Sequence, residues 1–233
     1  MLKRLILPCV LFTLPAQAGT IVYENDFESG TPGAQISGPG VVVGSLGYSA
    51  IGFGNNLLQN TSGSFGANSQ IATTITLTNL PDHDSVDFGF LLAIINSWDD
   101  LGAGFGPDVF QVFLDGALLF SESFTNFSGT QTASTGNRIL GPTQLGFDGE
   151  ATWPETAYDF TNFSAFTNIA HTSDNLSLSF ITAGAGWEGG FNESFGVDNV
   201  SISLNGVTAV PEPAIFGIFG LGLFALSRRR VLF

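Results

Sequence analysis

Three observations predict an all-β fold, a single jelly-roll-like sandwich. The chain is rich in Gly, Ser, Thr, Asn and Phe, with 30 glycines and 23 phenylalanines in 233 residues, a composition that favours strands and turns over helices. Apolar and polar residues alternate in several short runs, as on a half-buried strand. Asp115-Gly116 joins two such runs as a two-residue hairpin turn. Hydrophobic content of 44% against 11% charged residues argues for a packed core rather than disorder.

The elements follow in chain order. Within the loop-like stretch Gly30–Phe65, Val41-Val42-Val43 makes one strand. Ile71, Thr73, Ile75 and Leu77 share a face of the next strand. Val86–Phe90 continues in the same style, and Phe90–Ile95 is a nearly continuous apolar run, as expected of a buried central strand. Val109–Leu114 alternates, then turns at Asp115-Gly116 into Ala117–Phe120. Phe127–Trp153 shows little alternation and reads as a long loop, either functional or mobile. Leu176, Leu178 and Phe180 line one face of a later strand, and Val200, Ile202 and Leu204 one face of the last. Many short strands of this kind predict a sandwich or barrel. A jelly roll with adjacent first and last strands is the favoured arrangement, and no tandem repeat is present.

The two ends are different in kind. Lys3 and Arg4, the apolar Leu5–Leu14 and the small-x-small Ala16-Gln17-Ala18 predict a signal peptide over residues 1–18, cleaved after Ala18. The sole cysteine, Cys9, lies inside it, too early and behind residues too bulky for lipidation. The mature chain therefore has no disulfide and no thiolate chemistry. At the other end stand Val210-Pro211-Glu212-Pro213, an uncharged apolar run Ala214–Leu226, Ser227 and Arg228-Arg229-Arg230. The prolines stiffen the entry, the run predicts a transmembrane helix over about 214–227, and the arginines stop transfer. This tail, 209–233, resembles the PEP-CTERM sorting signal of Gram-negative bacteria. That resemblance implies an exported precursor held in the inner membrane, handled by the secretion machinery and an exosortase, and delivered to the cell surface or extracellular matrix.

The body, 19–208, holds all but one of the 20 acidic residues but a single cation, Arg138. Such a surface excludes nucleic-acid binding through phosphates and is repelled by anionic headgroups. It suits hard divalent cations that take oxygen ligands, or serves solubility alone.

Five phrases along the body, Asn25-Asp26-Phe27-Glu28, Ile95-Asn96-Ser97-Trp98-Asp99-Asp100, Gly106-Pro107-Asp108, Leu114-Asp115-Gly116 and Phe195-Gly196-Val197-Asp198-Asn199-Val200, are similar to carbohydrate-binding-module-like jelly rolls. The resemblance implies the fold and a structural calcium site carried by Glu28 and Asp198, with Asp26 and Glu193 as further ligands. The residues themselves give a related reason. Asp198 is expected on the core-facing side of the last strand with Val200 and Ile202, where a bare carboxylate is costly. A calcium ion bridging the first and last strands would satisfy it. In the alternative, Asp198 caps a turn and Glu28 is solvated.

A second cluster, Trp98, Asp99 and Asp100 with Asp108, follows a buried strand, and Trp187 lies in a glycine-rich stretch. A tryptophan beside carboxylates can stack on a sugar while the acids bond its hydroxyls, with Trp187 and Trp153 extending an exposed platform. The commoner use of such loops is turn formation, with Trp98 packed over the end of the sandwich. No Gly-x-Ser-x-Gly or His-Glu-x-x-His motif occurs, and His83 and His171 sit in polar stretches where surface positions are expected. The sequence thus predicts a non-enzymatic surface or matrix component that binds calcium and polysaccharide. A lectin-like carbohydrate-binding module is the alternative, and a secreted glycan hydrolase a more distant one.

Overall fold

The computed structural model describes residues 19–63, 70–101, 104–127, 135–147, 153–190 and 192–207. The segment expected to be a signal peptide, the sorting tail and the helix expected over 214–227 lie outside these residues. Among those described, no helix is long and apolar enough to cross a membrane.

The fold is a sandwich of two antiparallel sheets. The larger contains β1 (Thr20–Asn25), β3 (Val41–Gly44), β4 (Asn56–Asn60), β6 (Ser85–Asn96), β9 (Arg138–Thr143), β10 (Glu155–Asp159), β11 (Ile169–Ala170) and β13 (Glu193–Asn205). Its main path runs β3-β4-β13-β6-β10-β9, with β1 also on β13 and β11 also on β6. The smaller contains β2 (Ile36–Ser37), β5 (Thr73–Thr78), β7 (Val109–Leu114), β8 (Ala117–Ser123) and β12 (Asn175–Ala183), in the order β2-β5-β12-β7-β8. The first and last strands pair, Thr20 opposite Leu204 and Asn25 opposite Val200. At the predicted hairpin, Asp115 and Gly116 both have positive φ (50° and 79°), the geometry a two-residue turn needs to match strand twist.

The apolar run of β6 is explained by burial on both faces. Phe88, Phe90, Leu92 and Ile94 enter the core between the sheets, with Phe110, Val112, Leu178 and Phe180 from the other side. Leu91, Ala93 and Ile95 point outward into a second cluster built on Tyr48, Phe53 and Leu57. A short 3-10 segment, Leu46–Ile51, supplies that cover. The Tyr48 hydroxyl lies 3.0 Å from the carbonyl of Ile94 and 3.1 Å from that of Thr156, tying the cover to β6 and β10. Two buried layers on one strand leave no polar face to show alternation.

Four expectations are corrected. Ile71 precedes β5 and is exposed, so the inward row begins at Thr73. The presumed loops hold strands: β9 in 127–153, and β2 and β4 in 30–65. Asp198 does not share a face with Val200. The β13–β6 register shifts between Asp198 and Ser201, and Asn199 adopts φ 48°. This bulge reverses the alternation, so Phe195, Val197 and Val200 face the core, while Asp198 shares the outer side with Gly196. Finally, His83 and His171 are buried, stacked with ring centroids 4.9 Å apart.

Candidate functional site

The turn after β1 builds the first site. Asn25 Oδ1 accepts the Phe27 amide at 2.8 Å, and Asp26 Oδ1 accepts the Glu28 amide at 3.1 Å. Phe27 takes a left-handed φ of 54° with its ring fully buried. That conformation is unusual for an aromatic residue and is held here by core packing. The turn sends Glu28 outward, where its carboxylate accepts the amides of Asn55 (2.6 Å) and Asn56 (3.0 Å) and the Asn55 side chain (2.8 Å). These donors, the Asn55 side chain foremost, lower its pKa.

Asp198 lies behind this turn, fully buried. Its Oδ1 accepts the Asn199 amide at 2.7 Å, and its Oδ2 has no hydrogen-bond partner among the described residues. Burial, reinforced by the charges of Glu28 and Asp26, raises its pKa to about 7. Beside it opens a cleft of about 350 Å³ lined by Glu24, Asn25, Asp26, Ser29 and Asn199. The structure thus gathers Asp26, Glu28 and Asp198 into one neighbourhood. An orphaned buried carboxylate oxygen beside further oxygen donors suits a hard cation, although Glu28 already spends its lone pairs on Asn55 and Asn56.

Glu193 is not part of that group. It opens β13, and its carboxylate meets those of Asp99 and Asp108, with oxygen atoms all within 4.8 Å of one another. Asp108 is grouped with Trp98, Asp99 and Asp100 from the sequence, but its meeting with Glu193 is not foreseen there. It stands two residues before Phe110, at the head of the inward row Phe110, Val112, Leu114, where a carboxylate is out of place.

The tryptophan platform does not form. Trp98 is fully buried and Trp187 is 2% exposed. Their rings meet edge to face at 5.1 Å, and each indole N–H donates to a backbone carbonyl, of Ser194 (2.8 Å) and Ser62 (3.2 Å). The glycines around Trp187 serve close backbone packing rather than exposure: a Cβ on Gly184 would lie 1.9 Å from the Pro107 carbonyl oxygen. Asp100 is buried as well. Trp153 is the exposed tryptophan, 36% accessible and edge-on to Phe127.

No curated protein matches the chain. Solved structures that resemble it include the CBM22-1-GH10 modules of a Clostridium thermocellum xylanase with xylohexaose, at TM-score 0.41 and 12% identity, covering 85% of this chain and 31% of that one. TmCBM61 with β-1,4-galactotriose aligns at TM-score 0.39 and 11% identity, covering 81% of this chain and 100% of that one. A non-crystalline-cellulose-specific module, CBM28, aligns at 0.36 and 13%, covering 82% and 98%. These scores are low, and the sites above rest on this chain's own geometry. The sequence family comparison is specific to one end: residues 209–231 match the PEP-CTERM protein-sorting motif. Behind an antiparallel β-sandwich, the chain therefore carries the sorting tail of an exported protein.

Proposed function

We propose that this chain is a non-enzymatic component of the cell surface or extracellular matrix, sorted through its tail and stabilised by calcium. The match of residues 209–231 to the PEP-CTERM motif carries the reading. A body with Arg138 as its only cation and many carboxylates is soluble outside the cell and charged for divalent ions. In this reading Asp198, with Asp26 and Glu28, holds a calcium ion between the β1 turn and β13. The ion supplies positive charge to a buried carboxylate oxygen that the described residues leave without a partner.

Two experiments test it. Expressed in a host with an exosortase, the native chain should yield a shortened, surface-delivered product. Pro211→Ala/Pro213→Ala should remain as a full-length membrane precursor. Equal processing of both would sink the sorting assignment. The purified full chain should also melt higher with calcium than with chelator, by mass action on the folded state. Asp198→Asn should reduce that difference.

A lectin-like second reading draws on Trp153, an exposed ring supported by Phe127, since such a ring can stack on a sugar face. Retention on polysaccharide columns that disappears in Trp153→Ala would favour it. Unchanged retention would remove Trp153 from consideration.

A further inference from the structure

We propose that Asp99, Asp108 and Glu193 bind a second hard divalent cation, of calcium type, that cross-links the two sheets at the Trp98–Trp187 end of the sandwich. The site differs from the Asp198 neighbourhood in place and in residues.

Its topology comes first. Asp108 heads the inward row of β7 in the smaller sheet, and Glu193 heads the inward row of β13 in the larger one, ahead of Phe195 and Val197. Both carboxylates therefore enter the space between the sheets, from opposite sides. Asp99 follows the end of β6 and completes the trio. Asp108 is fully buried and Glu193 is 1% exposed.

The second observation is an oxygen without a partner. Asp108 Oδ2 accepts the Asp99 amide at 2.6 Å, while Asp108 Oδ1 is buried and has no hydrogen-bond partner among the described residues. Glu193 Oε2 accepts the Glu188 amide at 2.5 Å, and the Gly189 amide also bonds its carboxylate. Buried carboxylates in this density need positive charge or protons. The side-chain charges acting on Asp108 come from Asp99 and Glu188, and those on Glu193 from Asp108 and Glu188, all negative. Arg138, the body's only lysine or arginine, stands exposed on β9.

The frame is rigid. Asp99 and Asp108 are also joined through the Asp108 amide and the Asp99 carbonyl at 2.9 Å. Asn126 donates to the Ile94 and Asn96 carbonyls and accepts from Thr156. Backbone passes so close at Gly184 and Gly186 that a Cβ at either would overlap the Pro107 or Phe105 carbonyl. A group of oxygens held this way is preorganised for a cation rather than assembled by it.

The neighbouring tryptophans provide the test. Trp98 precedes Asp99, and Trp187 precedes Glu188, so a terbium ion bound here should luminesce on tryptophan excitation. The full chain, stripped with chelator and titrated with terbium, should give tryptophan-sensitised emission that calcium displaces. Asp108→Asn and Glu193→Gln should each weaken terbium binding at least about tenfold, the scale of losing a metal-site group. Asp198→Asn should keep the signal, which separates this site from the one at β1. Circular dichroism identifies which variants remain folded, and either of the two near-isosteric changes suffices. Absence of sensitised emission from the native chain would overturn the proposal. So would emission unchanged in a folded Asp108→Asn or Glu193→Gln, or emission lost only in Asp198→Asn.

Discussion

His83 Nε2 lies 2.6 Å from His171 Nδ1, the buried middle of a chain of polar contacts. His83 Nδ1 is 2.6 Å from the Pro81 carbonyl, and His171 Nε2 is 2.9 Å from Asp115 Oδ2. The chain links the entrance of β6 to the hairpin between β7 and β8, and so one sheet to the other. His171→Ala should destabilise the fold by about 2–4 kcal/mol, from unmet polar groups and lost packing, read by denaturant unfolding. A change below about 0.5 kcal/mol, typical of surface sites, would refute the linkage.

Tyr48 provides a cleaner deletion. Its hydroxyl is buried against the Ile94 and Thr156 carbonyls, and burial, then the Glu155 charge, raises its pKa well above the ordinary phenol value. Tyr48→Phe removes one donor and keeps the ring, at a cost of about 1–2 kcal/mol. Tyr48→Ala should cost about 3–5 kcal/mol by opening the outer cluster. Chemical denaturation of the two variants checks the order.

Gly184 tests the tight loop packing. Its φ of 115° strains any other residue, and an added Cβ would lie 1.9 Å from the Pro107 oxygen. Gly184→Ala should cost about 3 kcal/mol or more from combined strain and overpacking. A melting point unchanged from the native protein would refute the close approach.

Four raised carboxyls, Asp99 among them, set the pH dependence of the chelated protein. Burial foremost lifts Asp108 and Asp198 to about 7 and Glu193 to about 8, from 3.8 and 4.5. Protonated carboxyls are favoured in the fold, so their stabilising contribution is complete below pH about 4 and lost as pH rises to about 8. Glu28 has the opposite shift, but its contribution is already in place by pH about 5, above the ordinary glutamate range. In excess chelator the melting temperature should therefore fall from pH 5 to pH 8. A flat or rising profile would contradict the burial of these groups.

Much of the fold was legible because strands buried on one side alternate. β5, β7 and β12 were read from Ile75, Phe110 and Leu178 and their neighbours, and the Asp115-Gly116 turn from its residues alone. The strand β4 was missed: Leu57 and Leu58 are both buried, one in each core, so no alternation marks it. The face of Asp198 was misread because a bulge adds residues without a sequence mark of its own. Trp187 looked exposed among glycines, yet glycine in 184–190 permits backbone to approach backbone. The partnership of Asp108 with Glu193 joins positions 85 residues apart through sheet pairing, a relation that local spacing does not contain.

The long β13 has a mechanical consequence. It runs from Glu193 to Asn205 and pairs with β6 along one edge and with β4 and β1 along the other. At about 3.3 Å per residue it traverses some 40 Å. In the membrane-held precursor proposed above, a pull on the Asn205 end along the strand would load β13 lengthwise. Ladder hydrogen bonds then resist in shear, many at once, instead of opening one after another. The tethered body would yield to drag only by sliding its most heavily flanked strand out of the larger sheet.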